Sequence, residues 1–135
     1  MLTDGWSQKY SVGVREMDEQ HEVLLAICIE LVQAMERGTE STVLVNTLRE
    51  LVGYTRTHFV AEERLLELHG FAGLDGHRSI HERLLRQVGR YVVRFAEGDR
   101  RFAAELADFL ENWLIGHIQN TDRQYAKHLA SAGVR

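Results

Sequence analysis

The sequence predicts an all-α fold, an antiparallel up-down-up-down four-helix bundle with an irregular N-terminal arm. The 135 residues include no proline and are rich in Leu, Ala, Glu and Arg, which favour helix over strand. Apolar residues recur at alternating spacings of three and four along four segments, as on the buried face of a helix. Short glycine-containing connections separate these segments, so that successive helices are expected to run antiparallel.

Size and composition favour a single domain over residues 1–135. The formal net charge is −4, with both signs mixed along the chain, which argues against nucleic-acid binding. No apolar run approaches the roughly 18 residues of a membrane span, and no signal peptide is visible. The single Cys28 cannot form an internal disulfide, so we expect a cytoplasmic protein without a membrane partner.

The arm covers about residues 1–16, where two glycines interrupt any helix and the aromatic residues are expected to pack onto the bundle. Asp18 is the predicted N-cap of a first helix over about 18–37, which Gly38 ends. The cysteine in its stripe is interpreted as a small buried hydrophobe. The buried stripe of this helix is Met17, His21, Leu24, Cys28, Leu31 and Met35.

The second helix is predicted over about 41–69, with Gly70 after it. An unpaired carboxylate at a core position is costly, so Glu62 needs a partner, and a metal ion is a good one. The stripe of this helix is Leu44, Leu48, Leu51, Thr55, His58, Glu62 and Leu65.

Asp75 is the predicted cap of a third helix over about 75–97, and Asp99 opens a fourth over about 99–130. In both helices the stripe residues again recur at spacings of three and four residues. The stripe of the third is His77, His81, Leu84, Val88, Tyr91 and Phe95. The stripe of the fourth is Leu106, Leu110, Trp113 and His117.

Two short motifs, HFVAE at 58–62 and HRSIH at 77–81, each place two metal-binding side chains four residues apart on one helix face. Either pair alone also suits an ordinary helix, in which a histidine on the apolar face is most often a core residue. Their alignment with His21 and with HIQNTD at 117–122 makes the stronger case.

All the candidate histidines are expected at one end of the bundle. With a rise of about 1.5 Å per residue, His21 and His58 lie roughly 24 and 26 Å from the first turn. His81 and His77 lie roughly 24 and 30 Å from the last turn, and His117 lies roughly 27 Å along the fourth helix. The pattern therefore gathers them at one level, facing inward.

Five histidines and two carboxylates exceed what one tetrahedral zinc requires, and they suit two ions that share bridging carboxylates. Iron is compatible with these donors, as are zinc, copper, nickel and manganese. The alternative is a buried polar network without metal, which would be an expensive core. His69, beside a helix end, and His128, expected in solvent, lie outside the pattern.

Asp122 breaks the rhythm, since it lies about 140° from His117 around an ideal helix. Either it reaches in from the flank, or the helix is locally widened into a π-type turn, a feature that concentrates at functional sites.

Four motifs together resemble bacterial hemerythrins, and the similarity spans nearly the whole chain. They are MDEQH at 17–21, HFVAEE at 58–63, HRSIH at 77–81 and WLIGHIQNTD at 113–122.

The resemblance implies two non-heme irons, one with three histidine ligands and one with two. The three are His77, His81 and His117, and the two are His21 and His58. The implied bridges are Glu62, Asp122 and an oxo or hydroxo group. Dioxygen would bind reversibly at the open position of the two-histidine iron. The residues expected to line an apolar oxygen pocket are Leu24, Leu25, Phe59, Trp113 and Ile118.

We therefore expect an oxygen-binding protein for carriage, storage, delivery or sensing, which could also accept other small diatomic or anionic ligands. The alternative is a diiron enzyme with ferroxidase, peroxidase or nitric oxide reductase activity. Oxygen-activating bundles use Glu-x-x-His pairs on two helices, and no such pair is present, which favours binding over catalysis. The sequence does not identify protein partners.

Overall fold

A computed structural model of the chain describes residues 2–38, 41–99 and 103–135, and all regular structure in these ranges is helical. The arm contains two short 3₁₀ turns, Leu2–Asp4 and Gln8–Tyr10. The first three long helices are α1 (Arg15–Glu36), α2 (Ser41–Leu68) and α3 (Leu74–Ala96). The fourth is continuous but has three parts: α4 (Ala103–Leu110), a π-helical segment (Glu111–Asp122) and α5 (Arg123–Ser131).

The helices pack as an antiparallel bundle, which confirms the predicted fold class. α2 packs against both α1 and α3, and α4 closes the bundle against α1. On the remaining side, the Tyr91 ring of α3 lies 5.0 Å from that of Phe109 in α4. The arm crosses one end, with its first turn against α1 and its second against the π segment.

The first helix begins earlier than predicted because Asp18 does not cap it. The N-cap position is Val14, whose carbonyl accepts the first helical hydrogen bond from the Asp18 backbone N–H. The Asp18 carboxylate instead accepts hydrogen bonds from the Val12 backbone N–H at 2.9 Å and from Ser11 Oγ at 2.6 Å. Asp18 therefore fastens the arm to the first turn of α1.

The two other predicted caps also act differently. Gly73 occupies the N-cap position of α3, and Asp75 lies exposed in the first turn, where its charge complements the helix dipole. Asp99 pairs with Arg94 at 3.3 Å. The predicted start of the fourth helix runs into residues 100–102, which lie outside the described ranges.

Glycines end α2 and α3 as the sequence predicts. Gly70 and Gly98 have φ values of +65° and +86°, a left-handed conformation in which other residues are strained. Beyond Gly70, the Phe71 N–H bonds the Leu66 carbonyl at 3.0 Å, which satisfies an otherwise orphaned helix-end group.

The apolar core extends along the bundle, from Met17 and Leu129 near the arm to the opposite end. Leu31, Leu51 and Leu110 are completely buried there. Near the end of α2 the buried residue is Leu66, whereas the predicted Leu65 is half-buried, because the stripe continues by four residues after Glu62. No helix in the described parts of the chain is long and apolar enough to cross a membrane.

Candidate metal centre

The other end of the bundle buries a polar cluster. Its members are five imidazoles and two carboxylates, none more than 9% exposed. They are His21, His58, Glu62, His77, His81, His117 and Asp122. Burying such groups is unfavourable unless each finds a partner, so their convergence on one region requires an explanation.

Three of the long helices supply their side chains to the cluster by regular α-helical spacing. α1 provides His21, and α2 and α3 each provide two side chains one turn apart on their inner faces. The five histidines meet at one level, as the sequence predicts.

The π segment brings Asp122 to the same face as His117. Its hydrogen bonds run between residues five apart, so residues with that separation stack along the helix. The distance from His117 Nε2 to Asp122 Oδ1 is 2.9 Å, and Asp122 is completely buried. Of the two predicted arrangements, an approach from the flank and a locally widened helix, the structure therefore shows the second.

Glu62 divides its two oxygens between two sets of histidines. Oε1 lies 2.6 Å from His77 Nε2 and 3.1 Å from His81 Nε2. Oε2 lies 3.4 Å from His58 Nε2 and 3.5 Å from His21 Nε2. The carboxylate thus stands between the two sets.

Asp122 divides its oxygens in the same way. Oδ1 lies 2.9 Å from His117 Nε2 and 3.2 Å from His77 Nε2, whereas Oδ2 lies 3.1 Å from His21 Nε2. We call His77, His81 and His117 the three-histidine subsite and His21 and His58 the two-histidine subsite. Each carboxylate gives one oxygen to each subsite, which is the arrangement a bridging ligand requires.

The donor atoms are compact enough to surround ions. One potential ligand atom each from Glu62, Asp122 and the three-histidine subsite lie within 4.8 Å of one another, and so do those from Glu62 and the two-histidine subsite.

Hydrogen bonds within the cluster do not satisfy these atoms. Among the described residues, the Nε2 atoms of His21, His81 and His117 and both oxygens of Asp122 are buried without a hydrogen-bond partner. A closed polar network would leave few such atoms, since each costs the free energy of desolvation. Lone pairs aimed at common points fit metal ions instead.

Charge within the cluster shifts the histidine pKa values in opposite directions. Burial alone would lower the pKa of His21 and of His77, but contacts with Asp122 and Glu62 outweigh it and raise both to about 9. For His58, burial dominates and lowers the pKa. In the absence of metal, the site therefore favours protons on two imidazoles, and a metal cation would replace them.

The same contacts keep both carboxylates ionised. Burial by itself raises the pKa of Glu62 and Asp122, but the surrounding histidines hold both pKa values well below the usual range. Two ionised carboxylates in a buried site attract cations strongly.

Three residues that the sequence pattern did not single out support the cluster from outside. His58 Nδ1 lies 2.6 Å from Gln20 Oε1, and His81 Nδ1 lies 2.8 Å from Glu63 Oε2. The Tyr125 hydroxyl donates to Glu62 Oε2 at 2.9 Å. Their sequence signal is adjacency, because Gln20 precedes a clustered histidine, Glu63 follows Glu62, and Tyr125 lies one turn beyond Asp122.

The five residues predicted to line an oxygen pocket are all buried: Leu24, Leu25, Phe59, Trp113 and Ile118. The Phe59 ring stacks on His81 at 3.6 Å between centroids and lies 5.9 Å from the His58 ring. Phe59 therefore lies against the three-histidine subsite as well as near the two-histidine subsite.

The two histidines left out of the pattern lie apart from the cluster. His128 is half-buried rather than solvated, with Nε2 2.7 Å from the His69 carbonyl oxygen at the end of α2. This contact joins α5 to the C-terminal end of α2, which is a structural role.

Comparison with known proteins decides the family. A family model described as the Hemerythrin HHE cation binding domain matches residues 12–129. A bacteriohemerythrin of Pseudomonas paraeruginosa is 35% identical over 120 residues, which cover 89% of this chain and 77% of that protein. The chain belongs to the hemerythrin family. The resemblance carried by the four sequence motifs is thus confirmed.

Other hemerythrins agree with this assignment. A bacteriohemerythrin of Stenotrophomonas maltophilia is 30% identical over 121 residues, covering 90% of this chain and 78% of that protein. A crystal structure of wild-type hemerythrin matches with a TM-score of 0.84 over 93% of this chain and 96% of that chain. Its 23% identity supports the fold alone. Hemerythrins are diiron oxygen-binding proteins, and the cluster of histidines and carboxylates is suited to two iron ions.

Proposed function

We propose that the seven clustered side chains hold two iron ions and that the protein binds dioxygen reversibly there, for carriage, storage, delivery or sensing. The observation that supports this most directly is the division of both carboxylates between the two subsites. When bound, the iron pair supplies the electrons and the open coordination position by which dioxygen is held.

The two subsites offer unequal numbers of donors. The three-histidine subsite combines its imidazoles with Glu62 Oε1 and Asp122 Oδ1. The two-histidine subsite has one imidazole fewer, with Glu62 Oε2 and Asp122 Oδ2. We assign dioxygen to the two-histidine subsite because, among the described residues, it offers one donor fewer than the three-histidine subsite.

The burial of the cluster restricts its ligands to small molecules. His117, the most exposed member, is only 9% exposed, so a molecule much larger than a diatomic gas or a small anion would have to displace the core. The neighbouring Leu24, Leu25 and Ile118 are apolar and donate no protons, which hinders release of reduced oxygen. The apolar surroundings therefore favour a binding protein over a diiron oxidase or reductase. A cytoplasmic location stays a prediction from the single, buried Cys28.

The proposal can be tested with the optical spectrum of the reduced protein before and after exposure to air. We expect about two irons per chain, reversible uptake of oxygen and return to the starting spectrum under vacuum. Metal analysis showing one zinc per chain would contradict the diiron assignment. Rapid, irreversible oxidation with release of peroxide would instead support the enzyme alternative.

A substitution in the predicted pocket sharpens this test. Leu24→Gln should speed autoxidation of the oxygenated protein, because a polar side chain admits water and protons to the site. Leu68→Gln is the matched control, since Leu68 is 77% exposed on the outer surface of α2. Equal autoxidation rates in both variants and the unmodified protein would remove Leu24 from the pocket.

A further inference from the structure

The two subsites are supported from outside by chemically different acceptors. In the three-histidine subsite, the outer ring nitrogen of His81 meets the carboxylate of Glu63 at 2.8 Å. In the two-histidine subsite, the outer ring nitrogen of His58 meets the side-chain amide oxygen of Gln20 at 2.6 Å. Glutamate and glutamine have nearly the same shape, so the two contacts differ mainly in charge.

Both contacts fix which nitrogen carries the proton. The Nε2 atoms of His81 and His58 face Glu62 inside the cluster, at 3.1 and 3.4 Å. Each Nδ1 therefore carries hydrogen and donates outward, and its Nε2 lone pair points at the proposed metal. An ionised acceptor pulls more strongly on the N–H than a neutral amide does, and so raises the basicity of the opposite nitrogen.

Arg78 holds the Glu63 carboxylate in position. Its Nε donates to Glu63 Oε1 at 3.2 Å, while the second oxygen of Glu63 is the one that meets His81. The amide nitrogen of Gln20 makes a long contact, with Nε2 3.5 Å from Glu16 Oε1. The two acceptors therefore also differ in their own neighbours, because Glu63 contacts a guanidinium and Gln20 contacts a carboxylate.

The second imidazole of the two-histidine subsite receives even less support. Within the described ranges, the Nδ1 of His21 is buried and has no hydrogen-bond partner. This subsite thus has fewer histidines, a neutral acceptor behind one of them and no acceptor behind the other.

We propose that Glu63 and Gln20 are positioning residues that make the two subsites unequal in their hold on iron, with Glu63 strengthening the three-histidine subsite and Gln20 leaving the two-histidine subsite weaker. This rests on the ligand assignment proposed above. The weaker donor set coincides with the subsite assigned to dioxygen, so the ion with the open position is also the less tightly held one.

Reciprocal exchange of the two residues tests the proposal without oxygen. Metal-free protein is titrated anaerobically with ferrous iron against a competing chelator, which yields a tight and a weak binding step. Glu63→Gln should weaken the tight step by about 10–100-fold, the usual cost of losing an outer contact to a ligand. Gln20→Glu should strengthen the weak step by a similar factor, since the same principle then acts in reverse. His58→Ala, which removes a two-histidine ligand, identifies the step that belongs to that subsite.

The outcomes separate this inference from the proposed function. If the unmodified protein binds two ferrous ions but each exchange changes both steps equally, or neither step, the positioning roles are wrong and the diiron assignment stands. If the unmodified protein binds fewer than two, both fail. Circular dichroism of the metal-free variants verifies that they fold. Should Glu63→Gln not fold, the selective gain in Gln20→Glu decides alone, because a residue with only a structural role would not produce it.

Discussion

The two ends of the bundle differ in whether their buried groups find partners within the protein. At the end where α1 finishes and α2 begins, Leu31, Leu51 and Leu110 are fully buried among other apolar groups, and van der Waals contacts satisfy them. At the other end, Asp122 and His21 are equally buried yet keep atoms without hydrogen-bond partners among the described residues. The buried side chains of the first end, which we call the apolar end, already have their packing partners. The buried polar atoms of the second, which we call the metal end, find partners only when cations bind.

Removing the metal should produce the largest difference between the two ends. Chelation of iron should lower the free energy of unfolding by about 4 kcal/mol for each ion, if free iron had exceeded the dissociation constant about 1,000-fold. The loss should be local, because only the cluster loses partners. Hydrogen exchange should therefore show lost protection around 58–62 and 77–81, while amides near Leu51 stay protected. Uniform loss along α2 would contradict the division into two ends.

A cavity-forming substitution at the apolar end should lower stability without changing the iron content. Leu51→Ala should cost about 2–5 kcal/mol of stability, because a completely buried side chain leaves a cavity. The iron content should stay at about two per chain, since Leu51 lies about 16 Å along α2 from Glu62. Urea unfolding and metal analysis measure the two quantities. Val60→Ala, which shortens a half-exposed side chain on the same helix, should change neither.

The apolar end could be predicted from the sequence more completely than the metal end. Alternating spacings define the buried stripes, and helical rise alone gathers His21, His58 and their partners at one height. The contacts of Gln20 and Glu63 with histidines of other helices could not be predicted in this way. They depend on how adjacent helices are rotated, and spacing within one helix does not record that rotation.

The helix starts and the π segment show the same limit. Asp18 has the residue type and position of a cap, but the arm folds back to use its carboxylate. The sequence suggested one widened turn near Asp122, whereas the π segment extends over Glu111–Asp122. One widened turn would already bring His117 and Asp122 to the same face, so their spacing does not predict the length of the segment.

Asp122→Asn should weaken the metal end without disturbing the apolar end. The amide keeps the shape of the side chain but brings no negative charge to two cations, so we expect iron affinity to fall by more than the roughly 10-fold that the loss of an outer contact costs. Circular dichroism should show an intact bundle. Asp108→Asn is the control, since Asp108 lies exposed on the same helix. Unchanged iron affinity in Asp122→Asn would show that this carboxylate does not bridge the metals.

The smallest effect, and the most selective, should come from Tyr125→Phe. The substitution keeps the buried ring but removes the hydrogen bond to Glu62 Oε2, so the metal-free protein should lose about 1.5 kcal/mol of stability. The iron-loaded protein should lose less, because the metal then compensates the same oxygen. Urea unfolding with and without iron measures both losses, and Tyr54→Phe controls for removal of a half-buried hydroxyl elsewhere on the bundle. Equal losses in the two states would mean that the Tyr125 hydroxyl stabilises the fold independently of the metal. The buried carboxylates would then depend less on bound cations for their stability than their burial implies.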